Sequence, residues 1–413
     1  MNKIEKFDVA VIGGGPAGMM AAINAGERGA AVVLIEKNPI FGKKLLLTGG
    51  GRCNISQAEF NNKKFVERLG KKGQFLLSAL SVFGPKEVVD FFEKNGLKTK
   101  IERGGRIFPI SDKAQDVLTI LLKCLHKNKV KFLLNREVVG FNVLAKEIKS
   151  VKLKEQAIIA RSFILAVGGK AYPGTGSTGD GYQWVQKMGH KIIEPMSALV
   201  PIEIKENWIG DLQGLTLKNV RVSIFQNNKN LGSKFGEMLF THFGVSGPII
   251  LDLSKKIGEL MAIGIVVLKI DLKPALDVLT LDKRLQRDFK SNKNFKNYLP
   301  ELLPQRLGDL IIKFTGIDPN KKLNLINKGE RKKISDFLKG LELTVKGSAG
   351  FGQALITSGG IDLKEIDSRT MRSKIIKNLF FAGEIIDLDG PTGGYNLQIC
   401  WSTGYVAGNN AII

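Results

Sequence analysis

The stretch FDVAVIGGGPAGMMAAINAGERGAAVVLIEK, residues 7–37, decides the fold. Its first six residues are an apolar run that ends at Gly13, the pattern of a strand buried on both faces. MMAAINAGERG (19–29) has helical spacing and stops at Gly29, and AAVVLIEK (30–37) is a second apolar strand. Strand, helix and strand in that order predict a parallel sheet with helices on its faces. Gly13-x-Gly15-x-x-Gly18 falls between the first strand and the helix, where a dinucleotide-binding turn requires it. Gly13 permits the tight turn, Gly15 lets backbone approach a pyrophosphate, and Gly18 lets the helix pack close to the sheet. The helix N-terminus entered by Pro16 and Ala17 would hold the anion. Glu36 ends the second strand and can accept from two ribose hydroxyls; it would repel a 2′-phosphate, so NADP is disfavoured here. Lys37 beside it is counted with the cofactor residues. The bland alternative is a glycine-rich turn in an unrelated α/β protein.

Composition sets the outer limits. The chain has 413 residues, 43% hydrophobic and 24% charged, which excludes a disordered chain, a collagen and a coiled coil. Three cysteines (Cys53, Cys124, Cys400) without a CxxC pair exclude a disulfide scaffold, a zinc ribbon and a dithiol redox pair, and fit a reduced, cytoplasmic setting. Three histidines without a carboxylate cluster give no expectation of a metal site. No apolar run reaches the roughly 18 residues of a membrane span. The basic start before the first strand imitates an export signal, but the strand–turn–helix reading takes precedence. Net charge is +23, yet 48 of the 62 basic residues are Lys and only 14 are Arg. Bidentate nucleic-acid contacts favour Arg. The expectation is therefore a lysine-biased composition with non-specific, salt-sensitive binding of polyanions.

Along the chain, residues 63–96 and 113–128 read as amphipathic helices, with a helix start at Pro85. VKFLLNREVVGFNV (130–143) and KSVKLKEQAIIARSFILAVGG (149–169) supply strands. From about residue 197, SALVPIEIKENW, LTLKNVRVSIFQNN and GELMAIGIVVLKIDL read as strands without crossover helices, hence antiparallel sheet or barrel. LDKRLQRDFK, PQRLGDLIIKFTG and ERKKISDFLKG then read as short helices. Residues 273–340 carry 16 basic and 8 acidic side chains, +8 in 68 residues, read as a solvated surface. The predicted architecture is an α/β, Rossmann-type domain made of residues 1–196 and 346–413. A mainly β insert, 197–345, interrupts it, barrel-like over 197–275 and helical over 276–345.

Three further motifs carry chemistry. Lys44 and Thr48-Gly-Gly-Gly-Arg52-Cys53-Asn54 combine exposed amides, Gly50 and Gly51 among them, with cations suited to a pyrophosphate. The alternative is a flexible loop with solvated cations. Gly168-Gly169 ends a strand and points backbone at a ligand, and Asp180 would cap the helix YQWVQKMG. Gly383-Glu384 follows the strand NLFFA, and DLDGPTGGYNLQ (387–398) leads into a helix starting near Tyr395–Asn396. Amides of Gly394, Tyr395 and Asn396 would suit the edge of a flavin ring that becomes anionic on reduction. Two glycine-rich ends converging on one extended cofactor favour FAD over NAD. No second G-x-G-x-x-G directly after a strand marks a nicotinamide domain. Val138 and Leu397 complete the expected cofactor set.

TGGGRCN (48–54), GRIFP (105–109), GGKAYPGTGSTGDGY (168–182), LFTHFGVSGP (239–248), TSGGIDLKEIDSRTMRSK (357–374) and FFAGEIIDLDGPTGGYNLQ (380–398) resemble the BaiN/YhiN-like family of bacterial FAD flavoproteins. The resemblance covers essentially the whole chain. It implies a glutathione-reductase-like FAD domain split by a β-barrel insert with a small helical part. It also implies that GRIFP, GSTGDG and LFTHFGVSGP lie near the flavin or the substrate opening. Reactions attributed to relatives are reduction of conjugated enones and oxidation of a small aminoketone.

Candidates for catalysis are few. His242, between glycines, could protonate a substrate or could be a satisfied insert histidine. Tyr172 could donate to a carbonyl or pack beside the flavin, and Arg106 could anchor a carbonyl or carboxylate or form a surface salt bridge. Cys53 is a possible flavin-adduct thiol or a small neighbour of the cofactor. His190 reads as a helix-end residue and His126 as exposed. The expected reaction is hydride transfer between flavin and a small organic substrate, with NAD(P)H as transient donor. Alternatives are an oxygen-using oxidase, an RNA-associated flavoprotein and a non-catalytic flavin scaffold. The expected state is a monomer or homodimer.

Overall fold

Strand β1 (Lys6–Ile12) is followed by helix α1 (Pro16–Glu27) and strand β2 (Val32–Ile35), which lies parallel to β1. These come from a computed structural model that describes residues 6–412. Val9–Ile12 and all of β2 are buried, which is why their sequence is continuously apolar. β3 (Lys131–Leu133) adds outside β2. β4 (Ala157–Leu165) returns to the other side of β1, and β5 (Leu379–Phe381) lies parallel to its end. The parallel order is therefore β3-β2-β1-β4-β5, with Val138–Leu144 and Glu147–Leu153 extending the sheet antiparallel from the start of β4.

The order reverses between β1 and β4, and ligands of open α/β sheets bind at such a reversal, outside the strands' carboxyl ends. Here Gly13 follows β1 and Ala166 follows β4. Ala166 N–H donates to Ile12 O at 2.8 Å, and Gly13 N–H donates to Ile35 O at 2.8 Å. Helix α2 (Asp180–Lys187) begins after the loop that follows β4, and α3 (Tyr395–Asn410) after the turn that follows β5. α3 packs backbone-close on α1. A Cβ built on Gly404 would lie 2.3 Å from Ala17 O, and one on Gly408 would lie 2.3 Å from Ala21 O.

The chain forms two compact units, one holding residues up to Ala198 and from Phe351 onward, the other Leu199–Gly350. The second is a closed antiparallel barrel. Its strands run in the order Ile202–Ile204, Gly244–Ser246, Lys229–Phe240, Thr216–Gln226, Val267–Asp271, Leu341–Ser348, and back to the first. Closure leaves no open sheet edge. Helices Val278–Asp288, Phe295–Leu302, Gln305–Thr315 and Lys328–Gly340 lie between the last two strands in sequence. One expectation needs correction: GELM is the end of helix Pro248–Met261, and the strand begins only at Val267. Pro248 starts that helix, and Ile249, Ile250, Leu253 and Ile257 form its buried stripe, a helical rather than an alternating pattern.

Candidate cofactor site

A cleft of about 1330 Å³, partly open to solvent, lies where the sheet order reverses. Its floor is the turn after β1: Gly13, Gly14, Gly15, Pro16 and Ala17. Gly13 has φ +103°, and a Cβ there would lie 2.5 Å from Ala166 O. A Cβ on Gly15 would meet nothing within 4 Å, so the space this glycine keeps clear is the cleft itself. Gly15 caps α1 with extended backbone, and the helix's first-turn amides have no intrahelical acceptor. On another side α3 starts after Gly394, at φ 102°, and presents Asn396 and Leu397 to the cleft. Two helix N-termini thus face one cavity, a setting that favours anionic groups.

The charged groups of the wall are held in place. Glu36 Oε2 accepts from Gly14 N–H at 2.7 Å, and Oε1 accepts from the Asn38 N–H at 2.8 Å and the Asn38 side-chain amide at 2.7 Å. That amide also donates to Thr175 O at 3.0 Å. Lys37 Nζ donates to Thr178 Oγ1 at 2.7 Å and Asp180 Oδ2 at 3.0 Å. Lys44 Nζ pairs with Glu384 Oε2 at 2.8 Å, and Glu384 Oε1 accepts from Thr357 N–H at 2.8 Å. Asn396 is fixed by its own turn, accepting from Gly390 N–H and donating to Gly390 O, each at 2.9 Å.

Of the residues named from the sequence, Gly13, Gly15, Pro16, Ala17, Glu36, Lys37, Lys44, Thr48, Val138, Gly168, Gly383, Glu384, Asn396 and Leu397 line the cleft. Others stand behind it. A Cβ on Gly18 would lie 1.8 Å from Gly13 O, and one on Gly169 would lie 2.3 Å from Thr357 Oγ1, so both serve close packing. Tyr395 packs on Phe65, ring centroids 4.8 Å apart, and Gly394 abuts Ser56 O. Gly50 and Gly51 take left-handed backbone in the loop after Thr48. Asn54 Oδ1 is buried and among the described residues has no hydrogen-bond partner. A Cβ on Gly394 would lie 3.0 Å from that oxygen, beside the start of α3.

Arg52, expected on a pyrophosphate, is committed elsewhere. Its guanidinium bonds Glu102 and, through Nε at 2.8 Å, Asp112, and it lies 4.0 Å over the Phe108 ring. Hydrogen bonding to Arg52 holds the Glu102 carboxyl below its ordinary range. Lys100 and then Arg52 do the same for Asp112. Cys53 is fully buried, does not line the cleft, and burial pushes its thiol up to about 12, against a flavin-adduct role. The catalytic candidates also lie off the cleft lining. Tyr172 takes left-handed backbone (φ 54°) and donates its N–H to Phe351 O at 3.0 Å. Arg106 is exposed, with Glu102 at 3.8 Å. His242 belongs to the second unit and is exposed, its ring edge-on to Phe243. Asp180 is the first residue of α2 rather than its cap, which is Gly179. His190 is buried, its Nδ1 3.0 Å from Glu365 and its Nε2 2.9 Å from Ser373 Oγ.

Residues not anticipated include Asn38, Arg136, Glu137, Trp184, Leu355, Ile356 and Cys400. The strand end before Arg136 and the strand start after Leu355 were the available signal; Trp184 and Cys400 sit one turn into helices whose starts were recognised.

A glycine turn keeping backbone clear at a sheet reversal, an acidic residue ending β2, and two helix N-termini define a Rossmann-type dinucleotide-binding flavoprotein. The chain belongs to the family described as HI0933-like protein Rossmann domain, whose model matches residues 7–410. It is 31% identical over 414 residues to "Ribosomal RNA dihydrouridine synthase" of Escherichia coli (strain K12), covering 99% of each chain. It is 30% identical over 408 residues to "3-dehydro-bile acid delta(4,6)-reductase" of Clostridium scindens, covering 98% of each. A flavocytochrome c3 fumarate reductase shares the fold, with TM-score 0.53 and 17% identity over 98% of this chain and 78% of that one. The protein is an FAD-dependent oxidoreductase. No helix among the described residues is long and apolar enough to cross a membrane.

Proposed function

We propose that this chain reduces a carbon–carbon double bond conjugated to a carbonyl, with NAD(P)H as transient donor, in the cytoplasm. The names of two full-length relatives carry this reading: dihydrouridine is uridine with its ring double bond saturated, and a delta(4,6)-reductase saturates double bonds. NAD(P)H and one proton are consumed per bond saturated, and NAD(P)⁺ is released. FAD, when bound, supplies the hydride transfer between donor and substrate. The chain's part is to hold and polarise it. The N-terminus of α1 suits the pyrophosphate, Glu36 the ribose hydroxyls, and the first turn of α3 the ring edge that becomes anionic. Anaerobic titration with NADPH and NADH tests the reading. Bleaching of the visible flavin band, followed by reoxidation on adding a conjugated enone or uracil-containing RNA, is expected. A flavin band that neither donor bleaches overturns it.

Two carriers of the double bond fit. A uracil in RNA is favoured by the net charge of +23 together with the name of the relative at 31% identity. A free small enone is favoured by the reductase at 30% identity. Dihydrouridine content of RNA after turnover, set against NADPH consumption with small enones, separates them.

A further inference from the structure

We propose that the outer face of the barrel is a stacking platform for single-stranded RNA; this rests on the RNA reading above. The long hairpin Thr216–Gln226 and Lys229–Phe240 pairs Arg221 directly with Phe235. Strand alternation turns Val220, Val222 and Ile224 into the barrel core and leaves Arg221 and Phe225 on the outside. Phe235 is 59% exposed, so its ring serves no core. Arg221 is exposed, and among the described residues no acidic side chain pairs with it. Asp271, opposite Arg221 on the next strand, is bound by Lys339 at 2.6 Å. One rung along, Lys269 lies 4.7 Å over the Phe225 ring and pairs with Glu342 at 2.7 Å.

Phe235 and Phe225 therefore share a rigid antiparallel surface with Arg221 and Lys269, and the two carboxylates on it, Asp271 and Glu342, are each taken up by a lysine. A bare ring accepts a base by stacking, whatever its identity, and a guanidinium beside it accepts the phosphate. Charge selects this occupant over a second copy of the chain. Two chains of net charge +23 repel, whereas a polyanion is attracted. An apolar protein partner would have to desolvate Arg221 without compensating it.

The test uses the FAD-loaded full chain and a fluorescein-labelled single-stranded RNA of roughly 12 nucleotides, read by anisotropy at about 50 and 200 mM salt. Phe235→Ala is expected to weaken binding about tenfold, and Phe235→Trp to restore it. Arg221→Ala is expected to make the salt dependence shallower by about one ion. Flavin content and bleaching by NADPH stay as in the parent for all three. If RNA binds but these substitutions change nothing, the platform is overturned while the RNA reading stands. If the parent binds no RNA, both fall, and turnover of a small enone then decides whether the reductase reading survives. Loss of a dimer in Phe235→Ala, with RNA binding unchanged, would make this face a self-association surface and also overturn the proposal.

Discussion

Lys44 Nζ lies 2.8 Å from Glu384 Oε2, an ion pair across the cofactor cleft between residues 340 positions apart. With Thr357 N–H on the other oxygen, both ends of the Glu384 carboxylate are engaged. The two side chains are mostly buried, so truncating one leaves a partly desolvated charge behind. Glu384→Ala is expected to cost about 2 kcal/mol of stability and to lower FAD retention. Thermal unfolding and flavin content after desalting read the two effects; unchanged values would show that the pair is dispensable.

The contact between α1 and α3 gives a sign test for glycine. In an open helical position Gly→Ala stabilises by about 0.5–1 kcal/mol. Gly340 is such a position, with nothing within 4 Å of a built Cβ. At Gly404 the same methyl would lie 2.3 Å from Ala17 O, which is backbone and cannot yield. Gly404→Ala is therefore expected to destabilise by roughly 1–3 kcal/mol and Gly340→Ala to be neutral or stabilising. The denaturant midpoint should fall for Gly404→Ala and hold or rise for Gly340→Ala.

Gly13 and Glu36 test the cofactor turn. Gly13→Ala meets both a positive φ and a 2.5 Å approach to Ala166 O, and is expected to yield protein that folds poorly and holds no FAD. Glu36→Ala leaves Gly14 N–H and Asn38 N–H without their acceptor. A loss of about 1–3 kcal/mol in FAD affinity is expected, measured by quenching of flavin fluorescence.

The pH dependence of stability follows from His190. Burial, opposed by Glu365, holds its imidazole below the ordinary value of about 6.5. The unfolded chain therefore binds a proton that the folded chain refuses. This contribution to stability is complete above about pH 6.5 and is lost as pH falls below it. His190→Gln should flatten the fall in melting temperature between neutral and mildly acidic pH. An unchanged slope would place the acid sensitivity elsewhere.

Burial pushes the thiols of Cys53 and Cys400 up to about 12, so almost no thiolate exists at about pH 8. Peptide mapping should find neither alkylated by iodoacetamide in the folded, FAD-loaded protein and both alkylated in guanidinium. Rapid native labelling of Cys53 would reopen a flavin-thiol role.

Much of the fold was legible because its signals are local. Residues 7–37 show the apolar runs, the helical spacing and Gly13, whose φ of +103° only glycine takes easily. The helix at Tyr395 and the Gly383-Glu384 wall were legible for the same reason. The misreadings are non-local. Arg52 follows three glycines and looks like a phosphate ligand, but its partners Glu102 and Asp112 lie 50 and 60 residues further on. GELM is as apolar as a strand, and only packing of Ile249 and Ile257 into the second core shows it to be helical.

By itself, then, the sequence determined the strand–turn–helix unit, the cofactor turn and the presence of an antiparallel insert. Those depend on backbone dihedrals and periodicity within a few residues. Tertiary structure decided which side chains face the cleft, which cations are already neutralised, and that Arg221 and Phe235 share one exposed face. Those depend on strand order and register, which arise from the burial of surfaces far apart in the chain.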